Sequence, residues 1–256
     1  MPEESSMDKS YWNRMGKNYR DEIFSVSESD KCKVIEKHLK KFSGRNKIAA
    51  DFGCGIGGFL PMLSENFKKV YAIDFSLSCL HKAKSLYGHL DNVSFHCADL
   101  TAPKVPLPKV DFILCVNAVI TSSLTKRTGI LKNIAAQLKK DGHLFLVVPS
   151  LESILFANFR LIDWNLRDGM LPAAAVVGDF DKSTLSPVQV HQGIIEIDHV
   201  PTKHYLKEEL TAIMEDLNFK IRLIAKVEYG WDVEFNSPPA WMKAPYPWDW
   251  LVVAKK

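Results

Sequence analysis

The chain has 256 residues, of which 46% are hydrophobic and 25% charged, with 13 Gly and 13 Pro. That composition belongs to a globular protein able to bury a core and excludes disordered, collagenous and coiled-coil classes. Thirty-three Lys and Arg against 30 Asp and Glu leave a net charge of +3, too small for a protein whose affinity rests on neutralising many phosphates, so no nucleic-acid partner is expected.

At this length one domain with a sizeable insertion is expected rather than two equal domains. The five cysteines, Cys32, Cys54, Cys79, Cys97 and Cys115, are odd in number, widely spaced and form no CxxC pair. They indicate neither a disulfide framework nor a metal site, and fit a reducing, cytoplasmic setting. The opening MPEESSMDKS is polar, and no apolar run approaches the roughly 18–20 residues of a membrane span.

In chain order, residues 1–46 read as a helical cap. In DKCKVIEKHLKKF the apolar Val34, Ile35, Leu39 and Phe42 recur at helical spacing, with Asp30 placed as N-cap and the lysines on a solvated face. From Lys47 short apolar runs alternate with helical stretches. Strands are predicted over 47–52, 70–74, 92–97, 110–116 and 143–148, the pattern of βα units on a parallel sheet. The helix in SLSCLHKAKSLYG starts from Ser76 and stops at Gly88, and after LTKRTGILKNIAAQLKK the pair Asp141-Gly142 turns the chain into the fifth strand. Beyond Pro149 the alternation stops. Residues 150–203 read as an inserted substrate lid, with a helix-like stretch (Ile154, Leu155, Phe159, Ile162, Trp164) followed by a segment rich in Gly, Pro, Ser and Asp. HYLKEELTAIMEDL then places Leu206, Leu210, Ile213 and Leu217 on one helix face, ahead of two strand-like runs, NFKIRLIAKVEYG and PYPWDWLVVAK. Residues 47–149 and 204–256 therefore form the core.

The informative segment is IAADFGCGIGGFL, a strand running into a glycine-rich loop and a helix. Gly53, Gly55 and Gly57 let the backbone turn sharply and approach a ligand closely, at the edge where open α/β sheets bind ligands. GCGIGG also fits G-x-G-x-x-G, so the glycines alone do not separate dinucleotide binders from other nucleoside-cofactor binders. The acids do. Asp74 closes the second strand, where a carboxylate accepts hydrogen bonds from ribose hydroxyls. Asp51 lies two residues before the first glycine and Asp99 follows the third strand. Three carboxylates on one edge repel a pyrophosphate and attract a ligand bearing an ammonium and a sulfonium.

On these residues the chain resembles the class I S-adenosylmethionine-dependent methyltransferases, in their small-molecule branch, over about residues 10–150 and again over 200–256. The resemblance implies a Rossmann-like seven-stranded sheet with an antiparallel last strand, and S-adenosylmethionine as cofactor. The family's first motif matches Asp51, Gly53, Cys54, Gly55 and Gly57; its ribose acid matches Asp74, beside Phe75; its adenine-contacting acid matches Asp99, between Ala98 and Leu100. The fourth-strand segment facing the methyl group matches Cys115, Val116, Asn117 and Ala118, and YWNRMGKNYRDEIF makes Tyr11 and Tyr19 candidates for folding over the cofactor. The small polar cap that the family carries before the last helix is Leu206 here. Cys54 and Cys115 have no basic neighbour in sequence and read as buried fillers rather than nucleophiles.

Methyl transfer from a sulfonium is an in-line displacement whose activation is already in the cofactor, so positioning, at about 7–11 kcal/mol, outweighs a general base. A base is needed if the acceptor is a hydroxyl or a protonated amine. Among His191, His199 and His204, the last is the candidate, because it sits where the insertion meets the core. No N/D-P-P-Y/F and no Pro-Cys pair stands at the fourth strand, which leaves small molecules or protein side chains as acceptors. Phe156, Phe159, Trp164, Trp231, Phe235, Trp241, Tyr246 and Trp248 suggest a lipophilic or aromatic small-molecule acceptor under the lid. The alternatives are a protein side-chain methyltransferase, a non-catalytic cofactor-binding partner subunit, and an NAD(P)-dependent oxidoreductase. Oligomeric state leaves no signature in the sequence.

Overall fold

The computed structural model describes residues 7–16, 24–103, 105, 107–176, 186–197 and 199–256. Three helices, α1 (Lys9–Met15), α2 (Val26–Ser29) and α3 (Val34–Phe42), precede the sheet. The βα units follow as β1 (Gly44–Phe52), α4 (Leu60–Asn66), β2 (Phe67–Asp74), α5 (Leu77–Tyr87), β3 (Val93–Cys97), β4 (Val110–Val116), α6 (Leu124–Gln137) and β5 (Leu138–Pro149). Then come α7 (Leu151–Arg167), α8 (Pro172–Ala175), α9 (Pro187–His191), a hairpin of β6 (Ile194–Ile197) and β7 (Val200–Lys203), α10 (Lys207–Asp216), β8 (Lys220–Glu228) and β9 (Trp248–Lys255).

The seven-stranded sheet has the order β3-β2-β1-β4-β5-β9-β8. β1 to β5 run parallel, and β9 is antiparallel to both β5 and β8. The order reverses between β1 and β4, which opens a crevice at the carboxyl edge. The expected fold is thus the observed one. Strands β1, β2 and β5 start earlier than the apolar runs suggest, because polar, largely exposed residues precede those runs within each strand, as in the lysine pair that follows buried Phe67 in β2. Asp141 is at φ +65°, inside β5 rather than before it. There β5 advances from Leu138 to His143 while β4 advances only from Val110 to Phe112, so the expected turn is a bulge in the strand.

Local signals set the helix ends. Ser76 accepts a hydrogen bond from the Cys79 amide and starts α5, which stops at Gly88. In α3 the N-cap position is Lys33, not Asp30, yet Asp30 Oδ2 still accepts from the Ile35 amide at 3.0 Å. The α3 lysines lie exposed, as expected. Leu206 offers α10 no side-chain cap, and Glu152 Oε1 of α7 accepts from the Lys207 amide at 2.9 Å instead. The β6–β7 hairpin was hidden in a segment without strand periodicity. It is held to the core by the Lys203 amide donating to Ile120 O (2.8 Å) and by Tyr205 Oη donating to Val119 O (2.6 Å).

Alternating residues of the central strands fill two cores, one on each face. On the α3 and α4 side Phe112 is fully buried between Phe67 and Phe145, each ring centroid 4.9 Å away. Phe112→Ala leaves a cavity that rigid strands on both sides cannot collapse, and should cost about 3–5 kcal/mol in urea unfolding with an unchanged m-value.

Candidate functional site

At the end of β1 the chain needs conformations that only glycine adopts without strain. Gly53, Gly55 and Gly57 have φ of +76°, +52° and +87°. The amides of Gly53 and Cys54 both donate to Ile73 O, at 2.8 and 2.9 Å, so the loop is pinned to β2 as it leaves the sheet. A Cβ at Gly53 would collide with that of Ala118, and one at Gly57 would meet Leu60 and Tyr87.

The loop forms the floor of a cavity of about 850 Å3 at the carboxyl edge. Asp51, Gly53, Cys54, Gly55, Asp74, Phe75, Ala98, Asp99, Leu100, Asn117 and Ala118 all line it, together with Tyr11 and His204. Gly57 stands behind the wall, and Tyr19 lies outside the described residues. The residues expected from sequence to surround a cofactor are therefore neighbours in space.

Each acid has a different setting. Asp74 is buried, and its Oδ2 and Oδ1 accept from the amides of Gly55 (2.9 Å) and Ser76 (2.8 Å). Burial raises its pKa and these bonds oppose the rise. The two bonds leave lone pairs free on both oxygens. Asp51 is 3% exposed, and burial together with the charge of Asp74 pushes it up to about 7. No hydrogen bond to its carboxylate relieves that penalty among the described residues. Asp99 is exposed, with Oδ1 held by the amide and hydroxyl of Thr101. Burial raises the thiols of Cys54 and Cys115, which keeps them protonated and suits fillers better than nucleophiles.

Three expectations change. His204 does reach the cavity, and its Nδ1 lies 3.1 Å from Thr202 O. A carbonyl only accepts, so Nδ1 carries the hydrogen and Nε2 is the basic atom. Burial lowers the imidazole pKa to about 4, which makes it a poor proton acceptor near neutral pH. Second, none of the eight aromatic side chains expected to line the acceptor site is on the cavity wall. Trp231, with Phe156, Trp164, Phe235, Trp241 and Tyr246, packs into a separate cluster around Ala157 and Met242, while Trp248 belongs to the core. From 150–203 the cavity instead receives Ile154, Ile197, Val200 and Thr202. Third, sequence reasoning missed Tyr229, Glu234 and Asp249, which line the same cavity from the ends of β8 and β9. Asn117, at φ +48°, donates from Nδ2 to Asp249 Oδ2 at 3.3 Å. Their only sequence trace was two acids flanking the last loop.

These settings fix two outcomes. Gly53→Ala should destabilise the fold by about 1–3 kcal/mol through the left-handed φ and the clash, read in thermal unfolding. Gly58→Ala should cost less, because its Cβ would meet only the Ser27 hydroxyl, which can rotate away. The folded-state pKa of Asp51 lies above its unfolded value near 4, so the folded chain holds the proton longer. Its contribution to stability therefore falls as pH rises from about 4 to about 7 and is level above that. Unfolding midpoints should follow this slope in the ligand-free chain and flatten in Asp51→Asn.

A model of the methyltransferase-domain family matches residues 49–142. Phosphoethanolamine N-methyltransferase of Triticum aestivum is 26% identical over 153 residues, 57% of this chain and 30% of that protein. Malonyl-[acyl-carrier protein] O-methyltransferase 2 of Coxiella burnetii is 34% identical over 122 residues, 47% of this chain and 48% of that one. The chain thus spans less than half the length of these relatives. Magnesium protoporphyrin IX methyltransferase from Synechocystis, solved with bound S-adenosylhomocysteine, shares the fold with a TM-score of 0.60 at 14% identity over 97% of each chain. A Methanosarcina mazei methyltransferase does so with a TM-score of 0.60 at 15% identity, over 86% of this chain and 96% of its own. Glycine loop, edge carboxylates, strand order and these likenesses coincide: residues 49–142 match the methyltransferase-domain family, and the chain has the fold of the S-adenosylmethionine-dependent methyltransferases.

Proposed function

We propose that the chain transfers the methyl group of S-adenosylmethionine to a small molecule held in the cavity above β4 and β5. The observation that carries this reading is the convergence of Asp51, Asp74 and Asp99 around the glycine loop on a single cavity. The residues fit the cofactor: the glycine loop presents bare backbone to the cavity at Gly53 and Gly55, and the free lone pairs of Asp74 suit ribose hydroxyls. Asp51, buried without a donor, suits the ammonium of the methionyl group. Phe75, Ala98 and Leu100 offer apolar surface beside Asp99 for a flat base.

When bound, the cofactor supplies a methyl group already activated on a sulfonium. The chain's own residues hold the two reactants in line and exclude water, and this alignment is the larger part of the rate. Ile120, Ile154, Ile197 and Val200 give the acceptor end of the cavity an apolar wall, so the acceptor has an apolar portion, although no aromatic box surrounds it. The segment 150–203 acts as a lid in this reading, since it contributes wall residues from α7, β6 and β7 together.

Calorimetric titration tests the cofactor. S-adenosylhomocysteine should bind at micromolar concentration, while NAD and NADP should not bind. Asp74→Asn should weaken binding by about 2–4 kcal/mol, some 30- to 1,000-fold, as charge-assisted acceptors are lost. Because Asp51 must be ionised to meet an ammonium, affinity should rise roughly tenfold between pH 6 and pH 8, with proton release seen as a dependence of the heat on buffer. Tight NAD binding, or affinity independent of pH and of Asp74, overturns the reading.

A further inference from the structure

Resting on that function, we propose that the recess formed by Asn117, Tyr229, Glu234 and Asp249 receives a protonated amine of the acceptor, so that the methyl group is transferred to nitrogen.

The recess is built by the half of the sheet that the cofactor acids do not use. β1, β2 and β3 carry Asp51, Asp74 and Asp99, whereas Asn117 follows β4, Tyr229 follows β8 and Asp249 starts β9. Because β9 is antiparallel to β5, its first residues reach the same edge at which β5 ends, and Asp249 pairs with Pro149. Glu234 comes from the loop after β8 and feels the charge of Asp249 directly.

Several polar groups here lack what an amine would give them. Asp249 is 8% exposed, and among the described residues its donors are Asn117 Nδ2 at 3.3 Å, a long contact for a buried carboxylate, and the neighbouring Tyr229 hydroxyl, neither of which carries a charge to offset its own. Tyr229 is 2% exposed and lines the cavity, with its hydroxyl beside the Asp249 carboxylate. Among the described residues Asn117 Oδ1 is buried without a donor. Burial pushes Asp249 up to about 6, while Glu234 is an exposed residue on the cavity wall whose carboxyl feels the charge of Asp249. Two carboxylates on one stretch of cavity wall, with the polar side chains of Asn117 and Tyr229 beside them, call for a ligand with several N–H donors and a positive charge, which an alkylammonium has and an alcohol, carboxylate or phosphate has not. A bare metal ion fits less well: among the described residues no three His, Cys, Asp or Glu side chains stand close enough to hold one.

The same acids handle the proton. An ammonium R–NH3+ has no lone pair to attack with, so it first passes one proton to a carboxylate of the recess. The free amine pair then forms the N–CH3 bond as the S–CH3 bond breaks, its electron pair staying on sulfur as a neutral thioether, and the product leaves as R–NH2+–CH3. A carboxylate whose pKa is near neutrality is suited to that transfer.

The test uses the full chain saturated with S-adenosylhomocysteine, titrated with 2-phenylethylamine, 2-phenylethanol and phenylacetate as three ligands of one skeleton. The amine should bind at least tenfold more tightly than the other two. Glu234→Gln and Asp249→Asn, both isosteric, should each remove that preference by tenfold or more, with S-adenosylhomocysteine affinity and unfolding temperature read alongside. No preference for the amine up to 50 mM, including binding of none of the three, overturns the proposal. So does a loss of S-adenosylhomocysteine affinity in Asp249→Asn equal to the loss for the amine, which assigns the recess to the cofactor's own ammonium. Failure of the wild-type chain to bind S-adenosylhomocysteine at all is a separate outcome, and removes the methyltransferase reading itself.

Discussion

The burial of Asp51 and Asp74 within reach of each other's charge is the constraint on which the site depends. Taking one carboxylate out of water is costly and two neighbouring ones more so. The chain spreads the charge of Asp74 over the amides of Gly55 and Ser76, and the Gly55 amide is brought to it by a loop that passes through left-handed conformations at Gly53, Gly55 and Gly57. Glycine is therefore needed twice over, for the turn and for the close contact with Ala118 at the end of β4. Asp51 receives no such relief and remains a buried acid near neutrality. A ligand with a cationic group supplies what the backbone does not, so binding and folding are coupled through the same pair.

How much of this was legible depended on sequence separation. The glycine loop, Asp51 and Asp74 lie within 24 consecutive residues, each at a strand end marked by a run of apolar residues, so spacing alone placed them. The parallel order followed from the alternation of strands and helices, and the antiparallel β9 followed from the family likeness. What was lost lies far apart in the chain. Asn117 and Asp249 meet across 132 residues, and nothing local announces that β9 begins at the edge where β4 and β5 end. Glu152 caps α10 from 55 residues away, which is why Leu206 looked like a missing cap.

The aromatic residues show a different limit. Composition revealed that α7 and the loop after β8 are rich in large rings, but a ring-rich helix packs equally well on a cavity or on another ring-rich segment. Here Phe156 packs on Trp231, Trp231 and Trp164 both pack on Phe235, and the arginines Arg160 and Arg167 lie over Trp241. The cluster closes the loop onto α7 and leaves aliphatic side chains to face the cavity. His204 illustrates the same point for charge: its position at the junction was readable, but the burial that makes it a weak base was not.

Net charge conceals the site's polarity. The chain as a whole is close to neutral at +3, while the cavity is lined by seven carboxylates, Asp8, Glu28, Asp51, Asp74, Asp99, Glu234 and Asp249, against two lysines, Lys9 and Lys126. Like charges enclosed by low-dielectric walls reinforce one another, so the cavity discriminates by sign more sharply than the exterior does. Three of the acids stand with the cofactor half of the sheet. Asp8 and Glu28 come from the N-terminal helices, and Glu234 and Asp249 from the β8–β9 end of the sheet. An anionic ligand entering this cavity meets that excess as repulsion, with only Lys9 and Lys126 on the wall to offset it.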